Sequence, residues 1–413
     1  MDTTQKLIPQ FPIQPTNQPA KMPRIVIIGG GPAGINAAQT LAKSLKASDK
    51  TEVVVIEKSK YQYYTIGAPR AYTETSYAAN MFIPYDNAIP KEAASFVKIV
   101  RGVVTAITTH EVVYQYIGND DKPQEAASTL AFDYLLIATG SSYTTPIKQD
   151  GNNYSRAHTE AQLKEVRDQV ARAKKILIVG GGSVGCEVAG DIAAHYPDKS
   201  VTIINGQNRL VAGNNLRDKF YTKLTDSLQK LKVNVILGDS LEERLTENRF
   251  EKRVLRTVKG REIESDIQLL CAGFSPVAEL VQHLNPSLVD ARGAVRVNQY
   301  LQIDNASYHH IFALGDVSNH STPKMAYWAG EQAKYVAGEL VNVIRKKQTK
   351  ISKPFPEVSV EAIFVPLGPN GGVAQLPLFG GWVVGDTMTR MIKSKDMMAG
   401  RIWASLGATA PAV

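Results

Sequence analysis

Runs of apolar residues separated by turns predict a strand, a helix and a second strand near the start of the chain. Residues 25–28 form an unbroken apolar run of the kind found in buried strands. A glycine-rich turn follows at 29–34, then a helical pattern at 35–46 and a second apolar run at 53–56. This order is typical of a βαβ unit, in which a helix joins two parallel strands.

The same pattern returns in the middle of the chain. Residues 176–179 and 201–204 are apolar runs, and between them lie a glycine-rich turn at 180–185 and a helical pattern that ends at about residue 195. Because one βαβ unit of this kind can hold one dinucleotide, the two copies predict two nucleotide-binding domains.

Further elements lie between and after the two units. Residues 96–117 alternate in the manner of strands, and 134–137 and 311–314 are short apolar runs. A helical pattern occupies 324–345. After residue 354 the composition shifts to Gly, Pro and Met, which predicts a separate and smaller unit.

The composition of the 413 residues is that of a globular protein, with 44% hydrophobic and 21% charged residues. The longest uncharged stretch, 362–385, contains three prolines and six glycines, which argues against a membrane-spanning helix. The net charge of +8 is scattered along the chain, so we expect weak attraction to anions and no specific nucleic-acid site.

The two cysteines, Cys186 and Cys271, are too few and too far apart for a disulfide scaffold, a thiolate zinc site or a C-x-x-C redox pair. A reducing compartment fits this usage. The seven histidines have no metal-ligand spacing, so we predict no metal site. Cys186 stands at a helix start, where a thiol can have a lowered pKa, but a small buried residue is the better interpretation without a second cysteine.

The first glycine-rich turn has the spacing Gly29-x-Gly31-x-x-Gly34. Such glycines allow a tight turn, close approach of a pyrophosphate and packing of the helix on the strand. Glu57 closes the second strand and can accept hydrogen bonds from the ribose of the nucleotide. Other residues predicted to contact this nucleotide are Pro32, Ala33, Lys58, Arg70, Thr139, Gly140, Lys324, Met325 and Ala326.

The second turn repeats the spacing with Gly180, Gly182 and Gly185, but its second strand ends in Asn205 instead of an acid. An acid would repel a 2′-phosphate, whereas Asn205 is neutral and Arg209 can pair with that phosphate, so we expect use of both NADH and NADPH. The alternative is that Asn205 only ends a strand and Arg209 is solvated. The predicted contact set also includes Ser183, Val184, Glu187 and Gly273.

Asp316 follows the apolar strand at 311–314. An Asp at this place can hold a ribityl hydroxyl of a flavin, and the helix that begins near Lys324 would direct its positive end at the flavin ring. A Gly-Asp pair after a strand is by itself more often a turn. In combination with two βαβ units in this order, it indicates that the first unit binds FAD.

Glu187 lies two residues after the last glycine of the second turn. One interpretation is an acid that stabilises the helix N-terminus. The other is a side chain that faces the nicotinamide of the bound coenzyme.

The predicted fold is therefore α/β, with two Rossmann-type dinucleotide-binding domains for FAD and NAD(P)H and a small C-terminal α+β domain. The predicted divisions are a disordered Pro-rich tail at 1–23, an FAD-binding domain at 24–142 and 291–354, an NAD(P)H-binding domain at 143–290, and a C-terminal interface or membrane-facing domain at 355–413.

The order of these motifs resembles that of flavoprotein reductases with two dinucleotide-binding domains. More specific motifs resemble the ferroptosis suppressor and apoptosis-inducing-factor-like, mitochondrion-associated family. Type II NADH dehydrogenases are a closely related family. The segments that carry this likeness are GGGPAG at 29–34, ATG at 138–140, GGGSVG at 180–185, ALGD at 313–316, TPKMAY at 322–327, GVAQL at 372–376 and IKSKD at 392–396.

The resemblance implies an FAD enzyme that takes hydride from NAD(P)H and reduces a membrane quinone. It also implies that Glu187 lies near the nicotinamide, Asp316 at the flavin, and Lys393 near the quinone and the flavin. The chain departs from the family at Asp2, where N-myristoylation needs a glycine, and at 61–64, where tyrosines replace the Phe and His of the animal proteins.

We therefore predict an FAD-dependent NAD(P)H:quinone oxidoreductase that is cytoplasmic and peripherally associated with a membrane, at the mitochondrial or lipid-droplet surface. A homodimer is compatible with the sequence. The rival functions are an NAD(P)H oxidase, a reductase of an iron-carrying partner, and a nucleic-acid-binding or death-signalling protein with a structural flavin.

The predicted membrane contact lies near the C-terminus. Met398, Ile402 and Leu406 recur every four residues, and residues 390–401 carry a net charge of +3. A helix with an apolar stripe and a basic flank can rest on an anionic bilayer. The alternative is that the stripe packs against the protein's own domains.

Overall fold

The computed structural model describes residues 22–213 and 215–411. The disordered tail predicted at 1–23 lies outside these ranges except for Met22 and Pro23. Among the described residues, no helix is both long enough and apolar enough to cross a membrane.

Strands alternate with helices in the two βαβ units, and elsewhere in the described chain several strands follow one another. The strands are β1 (Arg24–Ile28), β2 (Glu52–Glu57), β3 (Tyr61–Tyr63), β4 (Phe82–Pro84), β5 (Val97–Ile107), β6 (Glu111–Ile117), β7 (Pro123–Ala131), β8 (Tyr134–Ile137), β9 (Ser141–Ser142), β10 (Lys175–Val179), β11 (Ser200–Asn205), β12 (Asn234–Leu237), β13 (Arg253–Arg256), β14 (Glu262–Ser265), β15 (Ile267–Leu270), β16 (Ser275–Pro276), β17 (Ile311–Ala313), β18 (Ile363–Pro366), β19 (Gly372–Leu376) and β20 (Trp382–Val384). The α-helices are α1 (Pro32–Ser44), α2 (Ala68–Ala71), α3 (Arg156–Arg172), α4 (Ser183–His195), α5 (Asp218–Lys230), α6 (Glu279–Leu284), α7 (Ala326–Ile344), α8 (Asp386–Thr389) and α9 (Ala399–Ser405).

The first βαβ unit lies in a seven-stranded sheet with the order β17-β8-β1-β2-β5-β6-β7. β17, β8, β1, β2 and β5 are parallel, whereas β6 and β7 are antiparallel additions at one edge. Ile25 and Ile27 face α1 and α7, and Val26 and Ile28 face Val281 on α6. Both faces of β1 are thus covered, which explains its unbroken apolar run.

The second βαβ unit forms a four-stranded parallel sheet with the order β12-β11-β10-β15. Its βαβ elements, β10, α4 and β11, are those that the sequence predicts. A hairpin of β13 and β14 lies beside this sheet. The mixed α/β class with parallel sheets is therefore confirmed, while the domain divisions remain a prediction.

Three predicted helix starts differ from the structure. In the second βαβ unit α4 begins at Ser183, inside the turn predicted at 180–185. α1 begins at Pro32 instead of residue 35, because proline is favoured at the first helical position, where its missing N–H needs no partner. α7 begins at Ala326 instead of residue 324. The last glycine of the first turn, Gly34, therefore lies inside a helix.

The C-terminal segment folds as an antiparallel sheet, β18-β19-β20, followed by α8, a π-helical turn at Arg390–Ser394, and α9. In the amphipathic stripe predicted to rest on a membrane, Leu406 is buried and Met398 and Ile402 are half-buried. The neighbouring side chains of Met397 and Trp403 are buried. The Trp403 Nε1–H donates to Asn80 O at 3.0 Å, and Tyr64 donates to Met397 O at 2.5 Å. The stripe packs against the protein itself, because it meets the apolar surface around β3 and β4.

Candidate active site

The three motif glycines of the first turn, Gly29, Gly31 and Gly34, have different surroundings. Gly29 has φ of +99°, and a Cβ there would lie 2.5 Å from Ala138 O. A Cβ on Gly34 would lie 1.8 Å from Gly29 O, so only glycine lets α1 approach the turn. A Cβ on Gly31 would meet nothing within 4 Å. The middle glycine therefore faces open space, where a pyrophosphate has room.

The second glycine turn repeats this geometry. Gly180 has φ of +116°, and its Cβ would lie 2.4 Å from Cys271 O. A Cβ on Gly185 would lie 1.9 Å from Gly180 O, and one on Gly182 would meet nothing within 4 Å. The two turns thus provide two equivalent places for a diphosphate.

The helices that follow both turns have uncapped N-termini. Gly31 precedes α1 and Gly182 precedes α4, and neither helix receives a side-chain hydrogen bond at its N-cap. The first turns of these helices contain the predicted Pro32 with Ala33 and Ser183 with Val184, and no acidic residue. Free N–H groups at the positive end of a helix bind phosphate, so the turns fit dinucleotide cofactors.

Glu57 connects the end of β2 to the first glycine turn. Its Oε2 accepts from the Gly30 N–H at 2.5 Å, and its Oε1 accepts from the Ser59 N–H at 2.7 Å. Burial raises the pKa of the Glu57 carboxyl, and the two N–H donors act in the opposite direction. The carboxylate thus lies beside the loop that would hold the nucleotide.

Asn205 occupies the corresponding place at the end of β11. Its Oδ1 accepts from the Gly181 N–H at 3.1 Å, and its Nδ2 donates to Gln207 O at 3.3 Å and Arg209 O at 3.1 Å. The Arg209 guanidinium lies 4.5 Å above the ring of Tyr221. The amide therefore shapes the loop, and Arg209 is positioned by an aromatic contact.

Asp316 lies at the end of β17 in a cluster that was only partly predicted. Its Oδ2 accepts from Ser141 Oγ–H at 2.6 Å and from Lys148 Nζ at 3.1 Å. Lys148 also donates to Ser141 O at 3.0 Å. Ser141 and Lys148 were missed because neither lies in a glycine motif, although Ser141 directly follows the Ala-Thr-Gly turn.

Other residues predicted at the first nucleotide hold backbone groups of the protein. Lys324 Nζ donates to Ser318 O at 2.7 Å and His320 O at 3.0 Å, and burial lowers its pKa. Thr139 Oγ1–H donates to Val277 O at 2.6 Å, and Lys58 Nζ donates to Gly151 O at 2.9 Å. Met325 is the N-cap of α7, Ala326 begins that helix, and Gly140 has a positive φ angle in the loop after β8. Gly273, predicted at the second nucleotide, has a positive φ angle in the loop after β15.

Arg70 was predicted to contact the first nucleotide, but its side-chain contacts favour another role. The guanidinium is 1% exposed and pairs with Asp191 at 2.7 Å. Its Nη2–H donates to Ser394 O at 2.9 Å. A buried cation needs a nearby carboxylate, and Asp191 on α4 provides one. Asp191 had no signal in the sequence beyond its place one helical turn after Glu187.

Glu187 and Lys393 form a buried ion pair between α4 and the C-terminal segment. Lys393 Nζ donates to Glu187 Oε1 at 2.7 Å and to Phe364 O at 3.1 Å. Burial raises the pKa of the Glu187 carboxyl, and Lys393 acts in the opposite direction. The first turn of α4 contains no acid, so Glu187 does not serve as a charge at the helix start. Residues 206 positions apart thus meet in one pair.

Both cysteines are free and buried. Burial raises the pKa of the Cys271 thiol to about 12 and raises that of Cys186 as well. The interpretation of Cys186 as a small buried residue is confirmed. Within 22–213 and 215–411 no group of His, Cys, Asp or Glu has the arrangement of a metal site.

Two glycine turns of the same geometry in one chain, each at a parallel sheet, are typical of proteins that bind two dinucleotides. Residues 23–333 match the family described as pyridine nucleotide-disulphide oxidoreductase. The chain is 30% identical over 391 residues to ferroptosis suppressor protein 1 of Homo sapiens, covering 94% of this chain and 96% of that one. It is 28% identical to apoptosis-inducing factor homolog B of Dictyostelium discoideum, covering 94% and 98%.

Solved structures share the fold. The sulfide:quinone oxidoreductase of Aquifex aeolicus has a TM-score of 0.69 at 16% identity, covering 94% of this chain and 93% of that one. NDH2 of Plasmodium falciparum has a TM-score of 0.69 at 14% identity, covering 93% and 97%. The chain therefore belongs to the pyridine nucleotide-disulphide oxidoreductase family, whose members bind FAD and use NAD(P)H.

Proposed function

We propose that this protein is an FAD-dependent NAD(P)H:quinone oxidoreductase, with FAD at the turn of Gly29 and NAD(P)H at the turn of Gly180. The observation that carries the proposal is the buried Glu187–Lys393 pair, which joins the helix of the second nucleotide unit to the C-terminal segment. The relatives named above make a quinone acceptor the favoured choice.

Bound FAD supplies the chemistry of accepting a hydride and releasing two electrons. The net reaction, NAD(P)H + H⁺ + quinone → NAD(P)⁺ + quinol, needs one proton besides the hydride. Lys393 has two partners among the described residues, Glu187 and Phe364 O, so one of its three N–H groups is left to donate to a quinone oxygen. Glu187 holds the ammonium in place.

The two buried thiols of raised pKa disfavour a thiol-based route to a sulfur acceptor. Reduction of oxygen or of an iron-carrying partner is the alternative that the test has to separate from quinone reduction.

The test follows the two half-reactions separately. The protein should carry flavin absorbance that bleaches with NADH or NADPH without oxygen, and a water-soluble quinone should restore it. Lys393→Met should slow this return by about 10²-fold or more while bleaching changes little. Lys395→Met, on an exposed neighbour, is the matched control and should behave as the wild type. If oxygen or one-electron acceptors restore the flavin absorbance and quinones do not, the proposal is contradicted.

We also propose that the second site accepts both NADH and NADPH. Asn205 adds no negative charge beside the ribose, and the exposed Arg209 lies four residues further on. The ratio of kcat/KM for NADH over NADPH should lie within about two orders of magnitude of unity. A preference for NADH beyond a thousandfold would contradict this.

We further propose that the C-terminal segment touches a bilayer through the loop at 378–382. Leu378, Phe379 and Trp382 are 50%, 93% and 45% exposed. Arg217 donates to Gly380 O at 2.7 Å, so a cation lies beside this apolar tip. Exposed aromatic side chains with basic neighbours are typical of contact with anionic lipid.

Co-sedimentation with liposomes that contain anionic lipid tests this contact. Phe379→Ser with Trp382→Ser should reduce binding at least tenfold and leave flavin content intact. Val254→Ser with Val258→Ser removes two apolar side chains, 63% and 66% exposed, in the hairpin of β13 and β14, and it should leave binding unchanged. Equal binding by both double variants would refute the assignment to this loop.

A further inference from the structure

Helix α4 is joined to the turn at 390–394 at two points, one helical turn apart. Glu187 pairs with Lys393, and Asp191 pairs with Arg70, which in turn donates to Ser394 O. Because Lys393 and Ser394 are consecutive, both contacts act on the same short segment. Ser394 is itself buried and donates from Oγ to Gly371 O at 2.8 Å.

The Arg70–Asp191 pair is not explained by stability alone. Both side chains are 1% exposed, and desolvation of two charges offsets much of their attraction. Asp191 Oδ2 has no hydrogen-bond partner among the described residues. A pair that served only to stabilise the fold would be replaceable by apolar side chains at little cost.

Arg70 connects three parts of the molecule. It lies on α2, which follows the first βαβ unit, while Asp191 belongs to the second unit and Ser394 to the C-terminal segment. A guanidinium can donate in two directions from a rigid plane, which an ammonium cannot do in the same way. The two contacts of Arg70 therefore fix the turn at 390–394 relative to α4.

We propose that Arg70 and Asp191 are positioning residues for the Glu187–Lys393 pair, holding Lys393 at the place where it meets the acceptor and balancing the charge around Glu187. This inference rests on the proposed quinone reductase function. Arg70 and Asp191 touch neither nucleotide turn in the contacts described above, and they act through Lys393 and Glu187.

The charges around Glu187 predict a signature of this role. Burial raises the pKa of Glu187, Lys393 and Arg70 lower it from the turn at 390–394 and from α2, and Asp191 raises it from the same helix. The Tyr64 hydroxyl and the Cys186 thiol also face Glu187. Loss of the Arg70 charge should therefore raise the pKa of Glu187, and loss of the Asp191 charge should lower it.

The experiment measures the pH dependence of flavin reoxidation by a water-soluble quinone in the reduced holoenzyme. Arg70→Met should slow reoxidation at least tenfold and shift the apparent pKa of the profile upward, and Asp191→Asn should shift it downward. The double variant should lie between the two. Glu187→Gln, which cannot titrate, should remove this pKa from the profile.

Two further variants separate positioning from folding. Arg70→Lys keeps the charge but loses the planar contact with Ser394, so it should keep the wild-type pKa and still slow reoxidation. Glu74→Gln is the matched control, since the partly exposed Glu74 carboxylate lies 3.5 Å from Arg70 Nε, and it should change the rate less than twofold. If Arg70→Met does not retain flavin, the near-isosteric Asp191→Asn provides the test.

Shifts of the same sign in Arg70→Met and Asp191→Asn, or reduced melting temperature with an unchanged profile, would overturn the positioning role. A wild-type protein that quinones reoxidise normally, with variants that match it, would overturn this inference alone. A wild-type protein that no quinone reoxidises would overturn the proposed function together with it.

Discussion

In both βαβ units a side chain at the end of the second strand accepts a hydrogen bond from the glycine turn, but the side chain differs between the units. In the first unit Glu57 accepts from the Gly30 N–H, and in the second Asn205 accepts from the Gly181 N–H. The first glycines of both turns, Gly29 and Gly180, donate from N–H to a carbonyl of the neighbouring strand at 2.9 Å. The two turns are thus held in the same way.

The two side chains differ in the polar atom that does not contact the glycine turn. Glu57 uses its other oxygen to accept from Ser59 and has a charge to offer a ribose. Asn205 uses its amide N–H groups to bind two carbonyls of its own loop. Because holding the turn needs only one acceptor oxygen, the charge at this place can differ between the two units.

The largest expected effect is at the third glycines. A methyl group on Gly34 or Gly185 would lie 1.8 or 1.9 Å from a backbone oxygen, an overlap that costs more than about 3 kcal/mol. Gly34→Ala should yield protein without flavin, whereas Gly185→Ala should keep flavin and no longer bleach with NADH. Visible absorbance of the purified variants checks this, and flavin loss in both would show that the two sites are not separable.

The middle glycines should separate folding from binding. A Cβ on Gly31 or Gly182 meets nothing within 4 Å, so alanine should leave the melting temperature of the flavin-free protein unchanged. The methyl group would occupy the space of the pyrophosphate, and we expect at least tenfold weaker binding of FAD by Gly31→Ala and of NADH by Gly182→Ala. Titration calorimetry measures both, and unchanged affinities would place the phosphates elsewhere.

Exchange of the strand-end charge should change coenzyme preference. Asn205→Glu gives the second unit the acid of the first, and it should shift the kcat/KM ratio toward NADH by roughly 1–3 kcal/mol. Steady-state assays with both coenzymes measure the shift. Asn208→Glu, an exposed neighbour in the same loop, is the control for added charge. An equal shift in both variants would assign the effect to charge alone.

The smallest expected effect is a difference in pH response between the units. Burial raises the pKa of Glu57, so this carboxylate protonates earlier than an exposed one as the pH falls, and FAD should bind more weakly below that pKa. NADH binding should lack this response, because Asn205 does not titrate. Flavin retention after gel filtration at decreasing pH measures it, with Glu57→Gln as the non-titrating control.

The pH dependence that Glu57 gives to folding stability is opposite to the one that it gives to FAD binding. A carboxyl whose folded pKa is raised contributes stability that is present below the unfolded pKa and is lost as the pH rises through the folded pKa. Protonation of Glu57 therefore does not unfold the flavin-free protein. Flavin loss that coincides with unfolding on acidification would show that other groups cause it.

The nucleotide turns were predictable because their chemistry is local. Gly29, Gly34 and Glu57 act within one βαβ unit, and the spacing of the motif reflects contacts between residues close in the chain. The same holds for the second unit, where the predicted strands are present and the helix begins at Ser183, within the predicted turn. Family resemblance added Glu187 and Lys393, which no local pattern connects.

Local patterns in the sequence do not predict contacts between distant segments. The 398–406 stripe has the period of an amphipathic helix, and that period is the same whether the helix faces lipid or a protein core. Met397 and Met398 have positive φ angles immediately before α9, a local bend that the apolar period does not predict. Arg70 likewise has a charge whose partner is not visible in the sequence.

The sequence by itself determined the α/β class, both phosphate-binding turns and the acid or amide that closes each unit, because these depend on neighbours along one strand, turn and helix. Only the tertiary structure decided which charges meet. The pairs Glu187–Lys393 and Arg70–Asp191 bridge 206 and 121 positions, and Lys148 reaches Asp316 across 168. Such pairs form where packing of apolar faces brings the segments together, and the packing depends on the whole fold.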